Sequence, residues 1–96
     1  MIHRLYCSSG NSLGITDYLG YSEIGEDGHW IRYVESRADG TALRYSEALP
    51  ADGLGVLPEG RWDETEASKR EYGTVAAISA ELFDAVWATT RCANAR

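Results

Sequence analysis

The side chains in this sequence best suited to nucleophilic or metal chemistry are two histidines and two cysteines, His3, His29, Cys7 and Cys92. A catalytic thiol–imidazole pair of Cys7 and His29 would require the first strand to lie beside the third. His29 directly follows an Asp-Gly turn signal, which favours a solvated imidazole. The four residues also lack the spacing of structural zinc ligands, and the phosphate-binding motifs GxGxxG and P-loop are absent. The sequence therefore predicts no catalytic residue, no metal site and no cofactor.

Three Asp-Gly pairs, at residues 27–28, 39–40 and 52–53, could hold a cation or could mark turns. A calcium loop needs several oxygen ligands at alternating positions and a closing bidentate glutamate. The stretch around the first pair offers only Glu26 and Asp27, followed by a histidine and a tryptophan. Asp-Gly between alternating apolar residues is instead typical of a hairpin, because glycine adopts positive φ without strain. We therefore expect the first two pairs to close hairpins and the third to lie in a crossover.

Alternation of side chains with a period of two predicts a meander of antiparallel strands. The runs that show it, or that are rich in β-prone residues, are 3–7, 18–24, 29–37 and 41–46. Within the third run, alternation places Trp30 on the same face as Arg32 and Val34, and Tyr33 on the opposite face. Serine, glycine and asparagine at residues 8–14 predict a loop, and both prolines fall in a crossover loop at residues 47–61.

The C-terminal third changes from the strand period to the helical period. Within a variable segment at residues 62–78, the charged stretch 63–71 suits a short helix or an ordered loop, and 72–78 suits an edge strand. Ser79 is a good N-cap, and an apolar stripe follows it at helical spacing: Leu82, Phe83, Val86, Trp87 and Thr90. We expect a helix at about 80–91 that packs its stripe on the one apolar face of the sheet. The fold class predicted for residues 1–96 is a single α+β domain, a small antiparallel meander with a C-terminal helix on one face.

Charge and composition narrow the functional classes. The 96 residues carry 15 acidic and 9 basic side chains, a formal net charge of −6. A chain of this charge is repelled by nucleic acid and by anionic lipid, so we expect neither as a partner. The N-terminus lacks the apolar region of a secretion signal, and no apolar run is long enough to span a membrane, which predicts a cytoplasmic protein with reduced cysteines. A disulfide between Cys7 and Cys92 remains an alternative, because the termini of small domains often lie close together.

Two acidic clusters are candidates for a partner-binding surface. The first comprises Glu23, Glu26 and Asp27, and the second comprises Glu59, Asp63, Glu64 and Glu66 around Trp62. Carboxylates steer a basic partner, and a desolvated tryptophan is a common anchor of protein interfaces. The alternatives are that the carboxylates form a solvated face and that Trp62 is a lid over the edge of the core.

The order YSEI, DG, IRYVE, ADG, RYSE and ISAELFDAVW resembles a family of small bacterial domains. Members of that family carry a YSE-hydrophobic strand, an R-x-V-E strand, a DG turn and a late I-S-x-E-x-F-x-x-x-W helix. The resemblance covers residues 18–46 and 78–87, and its polar members are Glu23, Arg32 and Glu35. Such domains look like immunity proteins encoded beside bacterial toxins. The resemblance therefore implies a non-enzymatic inhibitor of a cognate toxin that presents a basic surface.

Other functions stay open at the level of sequence. The second hypothesis is a small enzyme or ligand-binding domain with a site between the sheet and the crossover loop. A third is a mimic of nucleic acid that blocks a nuclease, which would need denser and more regularly spaced carboxylates. Pairing with a second copy of the chain through an exposed edge strand is also open.

Overall fold

The computed structural model describes residues 1–8, 18–67 and 73–94. Within them the chain forms five strands and two helices: β1 (Ile2–Ser8), β2 (Tyr18–Ile24), β3 (Trp30–Arg37), β4 (Ala42–Ser46), α1 (Glu64–Ala67), β5 (Gly73–Ala77) and α2 (Ala80–Thr89). The strands make one antiparallel sheet in the order β4-β3-β2-β1-β5. This confirms the predicted α+β fold with a meander and a C-terminal helix. Residues 9–14 of the predicted loop and residues 68–71 of the charged stretch lie outside the described residues.

The first two Asp-Gly pairs close hairpins, as the sequence predicts. Gly28 and Gly40 have φ of 86° and 90°. In each turn the aspartate accepts a hydrogen bond from the backbone N–H two residues later, at 3.0 Å for Asp27 and 2.8 Å for Asp39. The third aspartate, Asp52, uses the same contact in the crossover and also accepts a 2.8 Å hydrogen bond from the Tyr45 hydroxyl. All three aspartates therefore stabilise turns, and Asp52 also connects the crossover to β4.

A register shift in the β2–β3 pair overturns the predicted orientation of Trp30. The shift falls between Glu23 and Ile24, so that Glu23 pairs with Arg32 but Ile24 pairs with Trp30. The extra residue in β3 reverses the alternation before Arg32, as a β-bulge does. Trp30 consequently packs on the cluster that contains Tyr33, and its indole N–H donates to the Ser22 hydroxyl at 3.0 Å.

Both faces of the sheet are covered, whereas the sequence indicated one apolar face beneath the helix. On the face away from α2, Tyr33, Leu43 and Tyr45 form a buried cluster to which Trp30 and Leu57 are added, so the crossover covers this side. On the other face, Phe83 of α2 is fully buried and its ring lies 5.4 Å from that of His3. The helix stripe is narrower than predicted, because 45% of Leu82 is exposed.

The two ends of α2 are held by specific hydrogen bonds. The Ser79 hydroxyl accepts from the N–H of Leu82 at 3.0 Å, which confirms the predicted N-cap. After the helix the chain returns to the edge of β4, where the Asn94 side chain accepts from the N–H of Arg44 at 2.9 Å and donates to its carbonyl at 2.8 Å. The amide of Asn94 thus replaces a neighbouring strand at this edge. None of the helices in the described residues is long and apolar enough to cross a membrane.

A buried ion network joins α2 to three strands. Arg32 donates to both oxygens of Glu23 at 2.7 Å, and the His3 ring nitrogen Nε2 lies 3.0 Å from the same carboxylate. Arg32 also donates to Asp84 of α2 at 2.8 Å, and its guanidinium lies 4.9 Å from the centre of the Phe83 ring. The hydrogen bond from Arg32 lowers the pKa of Glu23, which outweighs the opposing effect of burial, and His3 lowers it further. Glu23 is therefore held as a carboxylate at neutral pH.

Replacing Glu23 with glutamine should destabilise the domain at pH 7. The change leaves Arg32 without its buried counterion, and we expect the free energy of unfolding, measured by urea titration, to fall by about 2–4 kcal/mol. Because the pKa of Glu23 is lowered by folding, the wild-type carboxylate stabilises the fold above its unfolded-state pKa of about 4.3, and that contribution is lost as pH falls through the lower folded value.

The difference between wild type and Glu23→Gln should therefore shrink as the pH falls below about 4. Glu26→Gln is the matched control, because Glu26 is exposed, and it should change stability by less than about 0.5 kcal/mol. A difference that stays constant between neutral and acidic pH would show that the charge of Glu23 is not what matters.

Candidate functional site

The two acidic clusters of the sequence lie side by side. The N–H of Trp62 donates to the carbonyl of Gly28 at 2.7 Å, and the Arg61 guanidinium donates to the carbonyl of Asp27 at 2.9 Å. The Arg61 side chain packs beside Gly28 at ordinary van der Waals distance, and glycine is favoured at position 28 by its φ of 86°. These contacts tie the end of the crossover to the first hairpin.

Six of the eight candidate residues are exposed and form what we call the acidic surface: Glu26, Asp27, Glu59, Asp63, Glu64 and Glu66. Some of these carboxylates also have local structural contacts. Arg4 donates to both oxygens of Glu64 at 2.9 and 3.2 Å, and Asp63 accepts from the N–H of Glu66 at 3.1 Å in the first turn of α1. A depression of about 550 Å³ beside the hairpin adds the carboxylate of Glu47, which the sequence did not single out, and is lined by Glu26 and Asp27 as well.

Glu23, which the sequence placed in the first acidic cluster, does not belong to this exposed surface, because the fold buries it. Only 5% of the residue is exposed, and both carboxylate oxygens are bound by Arg32 or His3 beneath α2. From sequence alone, a single charged residue in a strand is expected to face solvent. The arginine that neutralises it becomes its neighbour only through the pairing of β2 with β3.

Trp62 lies between the two predicted alternatives of exposed anchor and core lid. It is half-buried, and its ring packs edge-on against Trp30 with the ring centres 5.8 Å apart. The indole N–H donates to Glu64 at 2.6 Å. Part of the ring thus covers the edge of the core, while the remainder is accessible beside the acidic surface.

A small pocket opens between the sheet and the crossover, next to Trp62. Its volume is about 160 Å³, and its lining residues are Tyr6, Tyr18, Gly20, Ser22, Trp30, Tyr33, Pro58 and Trp62. Five of these eight residues are partly exposed, so the cavity reaches the surface. We call it the aromatic pocket. The second hypothesis from sequence placed a site in this region but named none of its residues, because the rings come from β1, β2, β3 and residue 62 and only the topology brings them together.

The groups considered for catalysis do not converge. β2 separates β1 from β3, and Cys7 pairs with Leu19 at the end of the sheet far from His29. His29 is exposed at its turn, where its ring nitrogen lies 3.1 Å from Asp27. Cys7 and Cys92 are free thiols. In the part of the chain that the structure describes, no three histidine, cysteine or acidic side chains are grouped as metal ligands.

One serine motif falls outside the described residues. Residues 10–14 read GNSLG, which has the G-x-S-x-G spacing of a nucleophile elbow. In α/β-hydrolases that motif connects a strand to a helix. Here the described segments on either side are β1 and β2, two strands paired antiparallel. These described segments differ from the strand and helix that the motif connects in that fold.

Comparisons with models of known protein families, with curated proteins and with solved structures found no match for this chain.

Arg61→Ala should loosen the end of the crossover without unfolding the sheet. The change removes the hydrogen bond to Asp27 and the contact with Gly28, so we expect the Trp62 amide to exchange its hydrogen about tenfold faster, measured by NMR. Amides in the centre of β2 and β3 should keep their exchange rates. An unchanged Trp62 amide would mean that packing of Trp62 on Trp30 is sufficient to hold the segment.

Proposed function

We propose that this domain is a non-enzymatic binding module of the immunity-protein type, which neutralises a cognate bacterial toxin by binding a basic surface on it. The observation that carries the proposal is the union of the two acidic clusters. Two stretches more than 30 residues apart are joined by hydrogen bonds from Arg61 and Trp62, which puts six exposed carboxylates beside one accessible tryptophan. The resemblance of the YSEI, IRYVE and ISAELFDAVW stretches to toxin-associated domains agrees with it.

Charge and anchoring have separate roles in this proposal. A net charge of −6 raises the rate of encounter with a basic partner and disfavours nucleic acid and anionic membranes. Long-range attraction by itself gives weak, salt-sensitive complexes, whereas a desolvated aromatic side chain slows dissociation. Trp62, half-buried and pinned to Glu64, is oriented for this purpose before the partner arrives. Such an inhibitor would act in the cytoplasm of the cell that produces the toxin.

The aromatic pocket lies where the second candidate, a ligand-binding domain, would have its site, between the sheet and the crossover. Pockets for drug-sized ligands have volumes of about 300–1,000 Å³. The aromatic pocket measures about 160 Å³, which suits one side chain or a very small molecule. Its size therefore supports a role within a protein interface more than a metabolite site.

The direct experiment is co-purification of the domain with the product of the adjacent gene, followed by calorimetry of the isolated pair at low and high salt. We expect a one-to-one complex that weakens as salt increases. Failure to bind any basic effector encoded nearby, with both proteins folded, would contradict the proposal.

Trp62→Ala should weaken the complex by about 2 kcal/mol or more, chiefly through faster dissociation. Surface plasmon resonance separates the two rate constants. The variant should stay folded, because Trp62 is half-buried at the sheet margin, and circular dichroism checks this point. Unchanged dissociation in a folded variant would place the binding surface elsewhere.

Glu59→Lys should slow association and flatten its dependence on salt. Glu59 suits this test better than Glu64, whose reversal would also break the ion pair with Arg4. Glu81→Lys is the matched control, since it changes the net charge equally but lies on α2, over the other face of the sheet. Equal effects of the two reversals would indicate that only net charge matters and that the acidic surface has no special role.

A further inference from the structure

Five aromatic side chains line the aromatic pocket, and their arrangement gives walls on more than one side. The rings of Tyr6 and Tyr18 lie 6.0 Å apart at 43°, and those of Trp30 and Trp62 lie 5.8 Å apart at 73°. Tyr33 contributes the fifth ring. Rings inclined in this way enclose a corner, whereas coplanar rings would offer one flat surface. Such corners accommodate a compact group in contact with several rings at once.

Hydrogen bonds fix three of the five rings before any ligand binds. Trp30 donates to the Ser22 hydroxyl at 3.0 Å, Tyr33 donates to Glu35 at 2.9 Å, and Trp62 donates to Glu64 at 2.6 Å. Side chains already held in place lose little conformational entropy on binding. The pocket is therefore preorganised although the crossover that covers this face has no regular secondary structure.

Two of these hydrogen bonds also make the rings more attractive to a cation. Tyr33 and Trp62 each donate to a carboxylate, which polarises the donor and increases electron density in the ring. The negative face of an aromatic ring attracts ammonium and guanidinium groups. Arg37 and Arg4 neutralise the two carboxylates, at 2.6 Å from Glu35 and 2.9 Å from Glu64. The attraction for a cation in this pocket thus comes mainly from the ring faces.

Negative charge is disfavoured in the same place. The pKa of the Tyr18 hydroxyl is raised, first by burial and then by Tyr6 and Glu35. The pKa of Tyr33 is raised as well, by burial and by the neighbouring Glu35 carboxylate. Burial, the larger cause, penalises a charge of either sign, and the carboxylate of Glu35 is the contribution that specifically disfavours a phenolate or a bound anion.

The volume of the aromatic pocket fits one side chain of the partner. An apolar cavity of about 150 Å³ accommodates one benzene molecule, and the aromatic pocket measures about 160 Å³. A guanidinium or an ammonium at the end of an alkyl stem is no larger. The chain itself uses this kind of contact on the opposite face, where Arg44 lies 4.7 Å and Arg32 lies 5.2 Å from the centre of the Trp87 ring.

We propose that the aromatic pocket binds a basic side chain, an arginine or a lysine, presented by the protein partner. The proposal rests on the proposed function for the identity of the macromolecule, while the chemistry of the pocket can be tested on the isolated domain. The acidic surface beside Trp62 fits the same assignment, because it would attract the positively charged region in which such a side chain is found.

The test compares two probes of equal shape and different charge, N-acetylarginine methylamide and N-acetylcitrulline methylamide. Each is titrated into the ¹⁵N-labelled domain while the indole N–H signals of Trp30 and Trp62 are followed. We expect the arginine probe to shift both signals with a midpoint in the millimolar range and the citrulline probe to bind about tenfold more weakly. Equal midpoints, or no shift of either indole by the arginine probe, would overturn the proposal.

Two variants of Trp62 supply the matched comparison. Trp62→Phe keeps an aromatic face and Trp62→Leu keeps an apolar side chain, and both lose the hydrogen bond to Glu64 equally. The phenylalanine variant should retain the preference for arginine over citrulline, and the leucine variant should lose it, read from the Trp30 signal. A preference that survives in Trp62→Leu would contradict a role for the ring face.

The outcomes separate this inference from the proposed function. Discrimination between the probes by the isolated domain, without any basic effector that binds it, supports the pocket and removes the immunity role. A tight complex with an effector, together with equal midpoints for the two probes, removes the cation assignment and leaves the immunity role standing.

Discussion

The carboxylate of Glu23 is the interaction on which the rest of the structure depends. It lies in β2, receives two hydrogen bonds from Arg32 in β3 and one contact from His3 in β1, and is linked through Arg32 to Asp84 of α2. One buried charge thereby links three neighbouring strands to each other and, through Arg32, to the helix that lies over them. Breaking such a pair is costly, because Arg32 loses its buried counterion and keeps only the exposed carboxylate of Asp84.

Because α2 lies on one face of the sheet, the other face must be covered by a different part of the chain. In the described residues the irregular crossover covers it. The crossover does so by local contacts, in which Asp52 bonds the Tyr45 hydroxyl, Leu57 packs on the buried cluster, and Trp62 reaches the first hairpin. An irregular segment cannot interdigitate along its whole length as a helix does. The aromatic pocket is a gap of this kind, lined by rings that the sheet presents and the crossover only partly covers.

The same contacts explain why the acidic surface lies at one end of the crossover. Segment 59–66 must return from one face of the sheet toward its edge, and it is pinned there by Arg61 and Trp62. The carboxylates of Glu59, Asp63 and Glu64 are then exposed to solvent, while the ring of Trp62 packs on Trp30. The path of segment 59–66 therefore accounts for both the acidic surface and the aromatic pocket.

Local signals in the sequence determined much of the fold. Alternation with a period of two located β2 to its exact ends and β3 and β4 within one residue, and the first two Asp-Gly pairs identified the hairpins. Ser79 marked the start of α2 because a hydroxyl at this position caps a helix wherever it occurs. These features depend on residues close together in the chain. Charge likewise indicated a basic partner, which stays a prediction.

Only the tertiary structure decided the features that depend on residues from different strands. Glu23 is buried because Arg32 and His3 meet it across the sheet, and Trp30 changes face because one extra residue in β3 shifts the register. The aromatic pocket collects rings that are spread from Tyr6 to Trp62 along the chain. The physical reason is the same for all three features. The burial of a charge, the face on which a side chain lies and the enclosure of a cavity depend on residues that are neighbours in space. Pairing between strands brings those residues together.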